Sequence, residues 1–118
     1  MKKKAEIFIR HILDEIEKIK KSLVNISKES FMKDSNLKDA TVRRIEIIGE
    51  AVKNLPADYK NRHKNIPWKD IAGMRDKLMH HYFGVDFDKV WEVVQKDVPI
   101  LKKEIEIIIR KGNKNNLP

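Results

Sequence analysis

Apolar residues recur along the chain at steps of three and four. Between Lys4 and Ser27 they fall at Phe8, Ile12, Ile16, Ile19, Leu23 and Ile26, with Glu15, Lys18 and Lys21 off that line. Such spacing predicts one stripe on a helix of 3.6 residues per turn. KESFMKDSN breaks the pattern, and Ser35 or Asn36 can cap the next helix. A second stripe, Leu37, Thr41, Ile45, Ile48, Val52 and Leu55, predicts a helix over 37–54 that Pro56 stops. PADYKNRHKN reads as a polar connection with room for one short turn.

Pro67 suits the first position of a third helix, where its missing N–H would have no helical partner anyway. Trp68, Ile71, Met74 and Leu78 give that helix a short buried stripe, and Gly84 can terminate it. Asp86 can cap a last helix whose stripe, Val90, Val93 or Val94, Val98, Leu101, Ile105 and Ile108, runs to about Arg110 before Gly112. Pro99 falls inside this helix and removes one backbone hydrogen bond, which predicts a kink. No segment alternates as a half-buried strand would. The pattern therefore predicts an all-α bundle of four main helices, with one further short helix. Residues 1–110 read as a single domain and 111–118 as a flexible C-terminal tail.

Gly49 stands inside the second helix, where glycine costs about 1 kcal/mol relative to alanine. A close approach by another helix backbone would explain it. Glu46 and Glu50 share that helix with Arg43 and Arg44, offering polar groups beside whatever packs there.

Composition adds a charge signal. Of 118 residues, 26 are Lys or Arg and 18 are Asp or Glu, giving a formal net charge of +8. A basic chain suits a nucleic-acid partner. Yet the cations are interleaved with carboxylates, as in DEIEKIKK, and a surface rich in charge is also common in proteins from hot environments. Charge alone does not decide. No apolar run approaches the roughly 20 residues needed to span a membrane, and Glu6, Arg10 and Asp14 interrupt the start where a secretory signal would be apolar. The expected compartment is the cytoplasm. The chain has no cysteine, which excludes disulfides and thiolate zinc sites.

The candidate chemistry lies in RDKLMHHYF, Arg75 to Phe83. Histidine gains and loses a proton near neutral pH, and arginine is a permanent cation whose planar fork fits phosphate. RNA is cleaved when a base takes the proton of a 2′-hydroxyl that then attacks the neighbouring phosphate. His80 fits that base and Arg75 the cation that stabilises the phosphorane. The competing structural reading is the polar end of a helix, where His and Arg favour the dipole. If Arg75 to Tyr82 were all helical, Arg75 and His80 would lie about 140° apart. They converge only if the helix ends near His80 or a second copy supplies half of the site. His63, His80 and His81 lack the ligand spacing of a metal site.

R-x-x-x-x-H-x-Y, here Arg75, His80 and Tyr82, resembles the signature of the HepT toxins of the HEPN ribonuclease superfamily. RRIEIIGEAVKNLP, IPWKDIAGMRDKLMHHYFGVD and VWEVVQKDVPILKKEIE are similar to blocks of that family in the same order and cover most of residues 37–107. The resemblance implies a homodimer whose two motifs face one cleft, a metal-independent endoribonuclease site that needs no cofactor. His80 would be the acid/base residue and Arg75 the phosphate-stabilising cation. Asp76 takes the supporting polar position after the arginine, where many members carry Asn. Gly49, with Glu46 and Glu50, would line the dimer or cleft. The family further implies a partner, an MNT-type nucleotidyltransferase antitoxin that transfers AMP to the motif tyrosine, here Tyr82. The alternative is a non-catalytic HEPN-like module that binds RNA or nucleotide, or scaffolds the nucleotidyltransferase.

Overall fold

The computed structural model describes residues 3–80 and 84–115, without the side chains of residues 3, 4, 75, 77, 79, 80 and 112–115. The first stripe forms α1, Lys3–Leu23. Ile9, Ile12, Ile16, Ile19 and Leu23 are buried, and Phe8 is half-buried. Burying each such side chain contributes about 1.5–3 kcal/mol, against a few tenths for an exposed ion pair on a helix. The stripe therefore fixes α1, and its charges decorate it. One charge departs from the expected exterior: Glu15 is buried, and its carboxylate accepts from Lys18 Nζ at 3.1 Å. Asn25, at φ 60°, lets the chain leave the helix.

KESFMKDSN, expected as a break, holds a six-residue helix α2, Lys28–Lys33. Ser27 caps it, its Oγ accepting from the Ser30 N–H, and Phe31 anchors it with no exposed surface, 5.3 Å from the Trp91 ring. Asp34, not Ser35 or Asn36, caps α3, Ser35–Lys53, by accepting from the Leu37 N–H at 3.0 Å. Thr41, Ile45, Ile48 and Val52 are buried along α3 as their spacing requires. Arg44 ties α3 to α1, donating to the Lys18 carbonyl and to Ser22 Oγ. The polar connection contains a further helix, α4, Ala57–Arg62, held by buried Tyr59.

The third helix is not continuous. It divides into α5, Trp68–Ala72, and α6, Met74–Leu78, with Gly73 between them and Pro67 one position before the start. Two short antiparallel strands follow, β1 at Met79–His80 and β2 at Gly84–Val85, with His80 opposite Gly84. The last stripe begins with α7, Phe87–Glu92, capped by Asp86, whose carboxylate accepts from the Lys89 N–H. A π-helical turn, Val93–Asp97, leads into α8, Val98–Asn115, which runs past Gly112. The expected kink at Pro99 is thus a widened turn just before it. The Val98 N–H donates five residues back to the Val93 carbonyl, a spacing that accommodates a ring and a missing donor at the next position.

Among the described residues the fold is an all-α bundle. Its long elements α1, α3 and α7–α8 enclose one core, and α5–α6 forms a short arm laid on α3. Lys102 of α8 pairs with Glu17 of α1 at 2.7 Å across this frame, holding the Glu17 carboxyl below the ordinary carboxylate range. No helix among the described residues is long and apolar enough to cross a membrane.

Candidate active site

The arm that carries the motif is positioned by a glycine. A Cβ on Gly49 would stand 3.3 Å from the Ala72 carbonyl oxygen and 3.6 Å from that of Ile71. The close backbone approach expected at Gly49 is real, and it is made within the chain, to α5. Gly49 is buried there, while Glu46 is half-buried and Glu50 exposed. At the start of the arm, Trp68 is buried and its Nε1–H donates to the His63 carbonyl at 3.0 Å.

On α6, Met74 and Leu78 stand one turn apart and are both buried, at 2% and 1% exposure. These two side chains pin a helix too short to be stable alone. Arg75 and Asp76 lie between them; Asp76 is exposed, and its N–H donates to the Gly73 carbonyl at 3.0 Å. The helix then ends. The Leu78 carbonyl accepts from the Asp86 N–H at 2.6 Å. Gly84, at φ +81°, takes a backbone conformation that other residues rarely adopt, and so lets β2 return. Asp86 closes the segment twice, by that N–H and by capping α7.

The structure therefore puts Arg75 on a helix and His80 on extended backbone, two residues beyond the helix end. A 140° separation on one continuous helix does not apply. Tyr82 lies outside the described residues. Among the described residues, no group of three or more His, Asp or Glu gathers as a metal site would.

Beside the arm opens a cavity of about 170 Å³, walled by Ile66, Ile71, Met74 and Leu101 and rimmed by Asp70, Asp97 and Glu104. Like charge makes that rim a poor path for phosphate. In the α4–α5 connection, burial, with the nearby charges of Arg62 and Lys111, pushes the His63 imidazole below the ordinary histidine range. In the sequence this stretch reads only as a polar connection, because no local signal pairs His63 with Lys111.

An all-α bundle with Arg75 on a short helix and His80 on the extended backbone after it fits the HEPN class. Residues 12–108 match the family model described as Ribonuclease HepT-like. The chain belongs to that family. It is 49% identical to a protein of Caldanaerobacter subterraneus subsp. tengcongensis provisionally named an RNase, over 88% of this chain and 93% of the relative. It is 43% identical to one of Thermococcus cleftensis named "Probable ribonuclease HepT", over 90% of this chain and 96% of the relative. A longer Methanocaldococcus jannaschii protein, named a gamma-glutamylcyclotransferase and provisionally an RNase, is 47% identical; the match spans 98% of this chain and 52% of that protein. No solved structure matches the chain.

Proposed function

We propose that this protein is a metal-independent endoribonuclease of the HepT type, acting in the cytoplasm as the toxin of a toxin–antitoxin pair. The observation that carries the reading is the end of α6 at Leu78, between Arg75 and His80, in a chain of a ribonuclease family. A short helix anchored by buried Met74 and Leu78 bears the cation, and a short strand bears the base. His80 takes the proton of an RNA 2′-hydroxyl. The freed oxygen attacks the adjacent phosphorus, the bond to the 5′-oxygen breaks, and a 2′,3′-cyclic phosphate forms. Arg75 stabilises the charge that builds on the phosphorane oxygens.

The leaving 5′-oxygen needs a proton, and a single His80 that has just accepted one is poorly placed to give it at once. A second copy of the chain resolves this. In a homodimer the two motifs face one cleft, so one His80 serves as base and the other as acid. Asp76 supports the site as the exposed polar neighbour of Arg75.

Regulation acts at Tyr82. A partner nucleotidyltransferase of the MNT type transfers AMP to the tyrosine hydroxyl. The added phosphate brings an anion to the motif that binds RNA phosphate, so it blocks the cleft and repels RNA.

The test is cleavage of mixed cellular RNA by purified protein in EDTA. Wild type is expected to cut, and Arg75→Ala and His80→Ala to lose activity while remaining folded. Salt-sensitive RNA binding with no cleavage by any of them, on protein whose Tyr82 is verified unmodified by mass, would favour the binding module instead.

A further inference from the structure

The connection between α4 and α5 gathers cations from two distant parts of the chain. Arg62 closes α4 with its side chain 57% exposed, 4.0 Å from Asp58 and 5.9 Å from the centre of the Tyr59 ring. The His63 ring packs on Tyr59 at 4.7 Å, and its carbonyl is fixed by donors from Trp68 and Ile66. Lys64 is exposed beside it. Asn65 then ties the connection to α8, its Nδ2 donating to Glu104 Oε2 at 2.9 Å. Lys111 lies seven residues beyond Glu104, on the same helix face and about 10 Å along the axis, where it is exposed. Lys60 takes no part, because its Nζ turns to the Val52 carbonyl.

None of the three exposed cations is needed to pack the connection. Tyr59, Ile66 and Trp68, all buried, do that. Arg62, Lys64 and Lys111 outnumber the carboxylates among them, Asp58 and Glu104, and Glu104 is occupied by Asn65. A half-exposed imidazole ring sits in their midst. Cations around a ring on a fixed backbone are the elements from which single-stranded nucleic acid is held, by its phosphates and by one base face. The patch also stands at the near end of the arm whose far end bears the motif. The arm, Trp68–Leu78, is two five-residue helices joined at Gly73 and so no longer than about 16 Å at 1.5 Å per residue. A strand of several nucleotides spans that distance.

We propose that Arg62, His63 and Lys64, with Lys111 of α8, form a second phosphate-contacting site that holds the RNA strand leaving the Arg75–His80 segment. This rests on the ribonuclease reading and adds to it a track outside the cleft. Long RNA engages both ends of the arm, and a dinucleotide engages the motif alone.

The experiment measures binding of fluorescent single-stranded RNA across a salt series, in EDTA and in the His80→Ala background, so that no RNA is cut. Arg62→Gln/Lys64→Gln/Lys111→Gln is compared with Lys28→Gln/Lys33→Gln/Lys89→Gln, which removes equal charge from lysines paired to Asp88, Glu29 and Glu92 elsewhere. Each lost phosphate contact lowers the salt slope by about 0.7, so the patch triple is expected to lower it by about 2 and to weaken binding about tenfold or more. The double Lys64→Gln/Lys111→Gln, which disturbs no packed residue, is expected to lower the slope by about 1.4. Equal effects of the patch and control triples, or an unchanged slope in the double, would overturn the site. Absence of RNA binding by the His80→Ala parent would overturn it as well. Cleavage by wild type, measured separately, tells a failure of the ribonuclease reading from a failure of the track.

Discussion

A Cβ built on Gly49 stands 3.3 Å from the carbonyl oxygen of Ala72, closer than side chains normally sit to backbone. That single contact sets how near the arm α5–α6 lies to α3. Gly49→Ala adds one methyl, which needs a shift of a few tenths of an ångström, and it recovers about 1 kcal/mol of helix propensity. The two terms nearly cancel. Gly49→Val gains a smaller offset, because a β-branched residue has lower helix propensity than Ala, and overpacking costs about 1–3 kcal/mol. Urea unfolding is expected to show Gly49→Ala within about 1 kcal/mol of wild type and Gly49→Val clearly below it.

Phe31 anchors α2 from a position with no exposed surface, against Trp91. Phe31→Ala removes that anchor and is expected to cost about 3–5 kcal/mol, a large share of a small domain's total stability. The same substitution at half-buried Phe8, at the edge of the core, is expected to cost less. Chemical denaturation of the two variants side by side checks the order. Equal losses would mean that α2 packs less firmly than its burial indicates.

These two anchors also mark what the chain discloses before folding. The stripes on α1 and α3 and the Asp86 cap were legible because each rests on repeated or local chemistry, and Gly49 announced a close approach by its cost. The six-residue helix α2 was not legible, and α4 was legible only as room for one short turn. They are too short for a period to register, and each is held by one aromatic, Phe31 or Tyr59, whose partners lie elsewhere in the chain. The stripe Trp68, Ile71, Met74 and Leu78 fits one helix, and the break at Gly73 alters no position on it. The π turn before Pro99 replaces a kink for a similar reason: proline dictates which bond is lost, while the surrounding packing dictates how the backbone adapts. Of the candidate site, the motif supplies the candidates Arg75, His80 and Tyr82 directly, whereas the helix end at Leu78 and the approach of Lys111 to His63 are products of tertiary structure.

His63 gives the fold a pH dependence of definite sign. Burial, reinforced by Arg62 and Lys111, favours the neutral imidazole in the folded state, so its folded pKa lies below the unfolded value of about 6.5. The stability this provides is fully present above about pH 6.5 and is lost as pH falls from there through the folded-state value. His63→Gln, which cannot take up a proton, is expected to lose less stability than wild type between about pH 7 and pH 5. Parallel losses in the two proteins would show that His63 does not titrate with folding.

Tyr82 is proposed as the acceptor of AMP and has no part in the cleavage chemistry. Tyr82→Phe is therefore expected to retain RNA cleavage and to escape silencing when incubated with an MNT-type nucleotidyltransferase and ATP. Intact-protein mass spectrometry would find one added AMP on wild type and none on the variant. Addition of AMP to Tyr82→Phe would move the acceptor to another residue.

The chemistry of the cut ends tests the roles of Arg75 and His80 most directly. A defined single-stranded RNA is incubated with wild type and with His80→Ala in EDTA, and the products are weighed by mass spectrometry. Attack by the neighbouring 2′-hydroxyl predicts 2′,3′-cyclic phosphate and 5′-hydroxyl ends from wild type and intact RNA from His80→Ala. Ends with 3′-hydroxyl and 5′-phosphate, or equal cutting by both proteins, would contradict the assignment of Arg75 and His80.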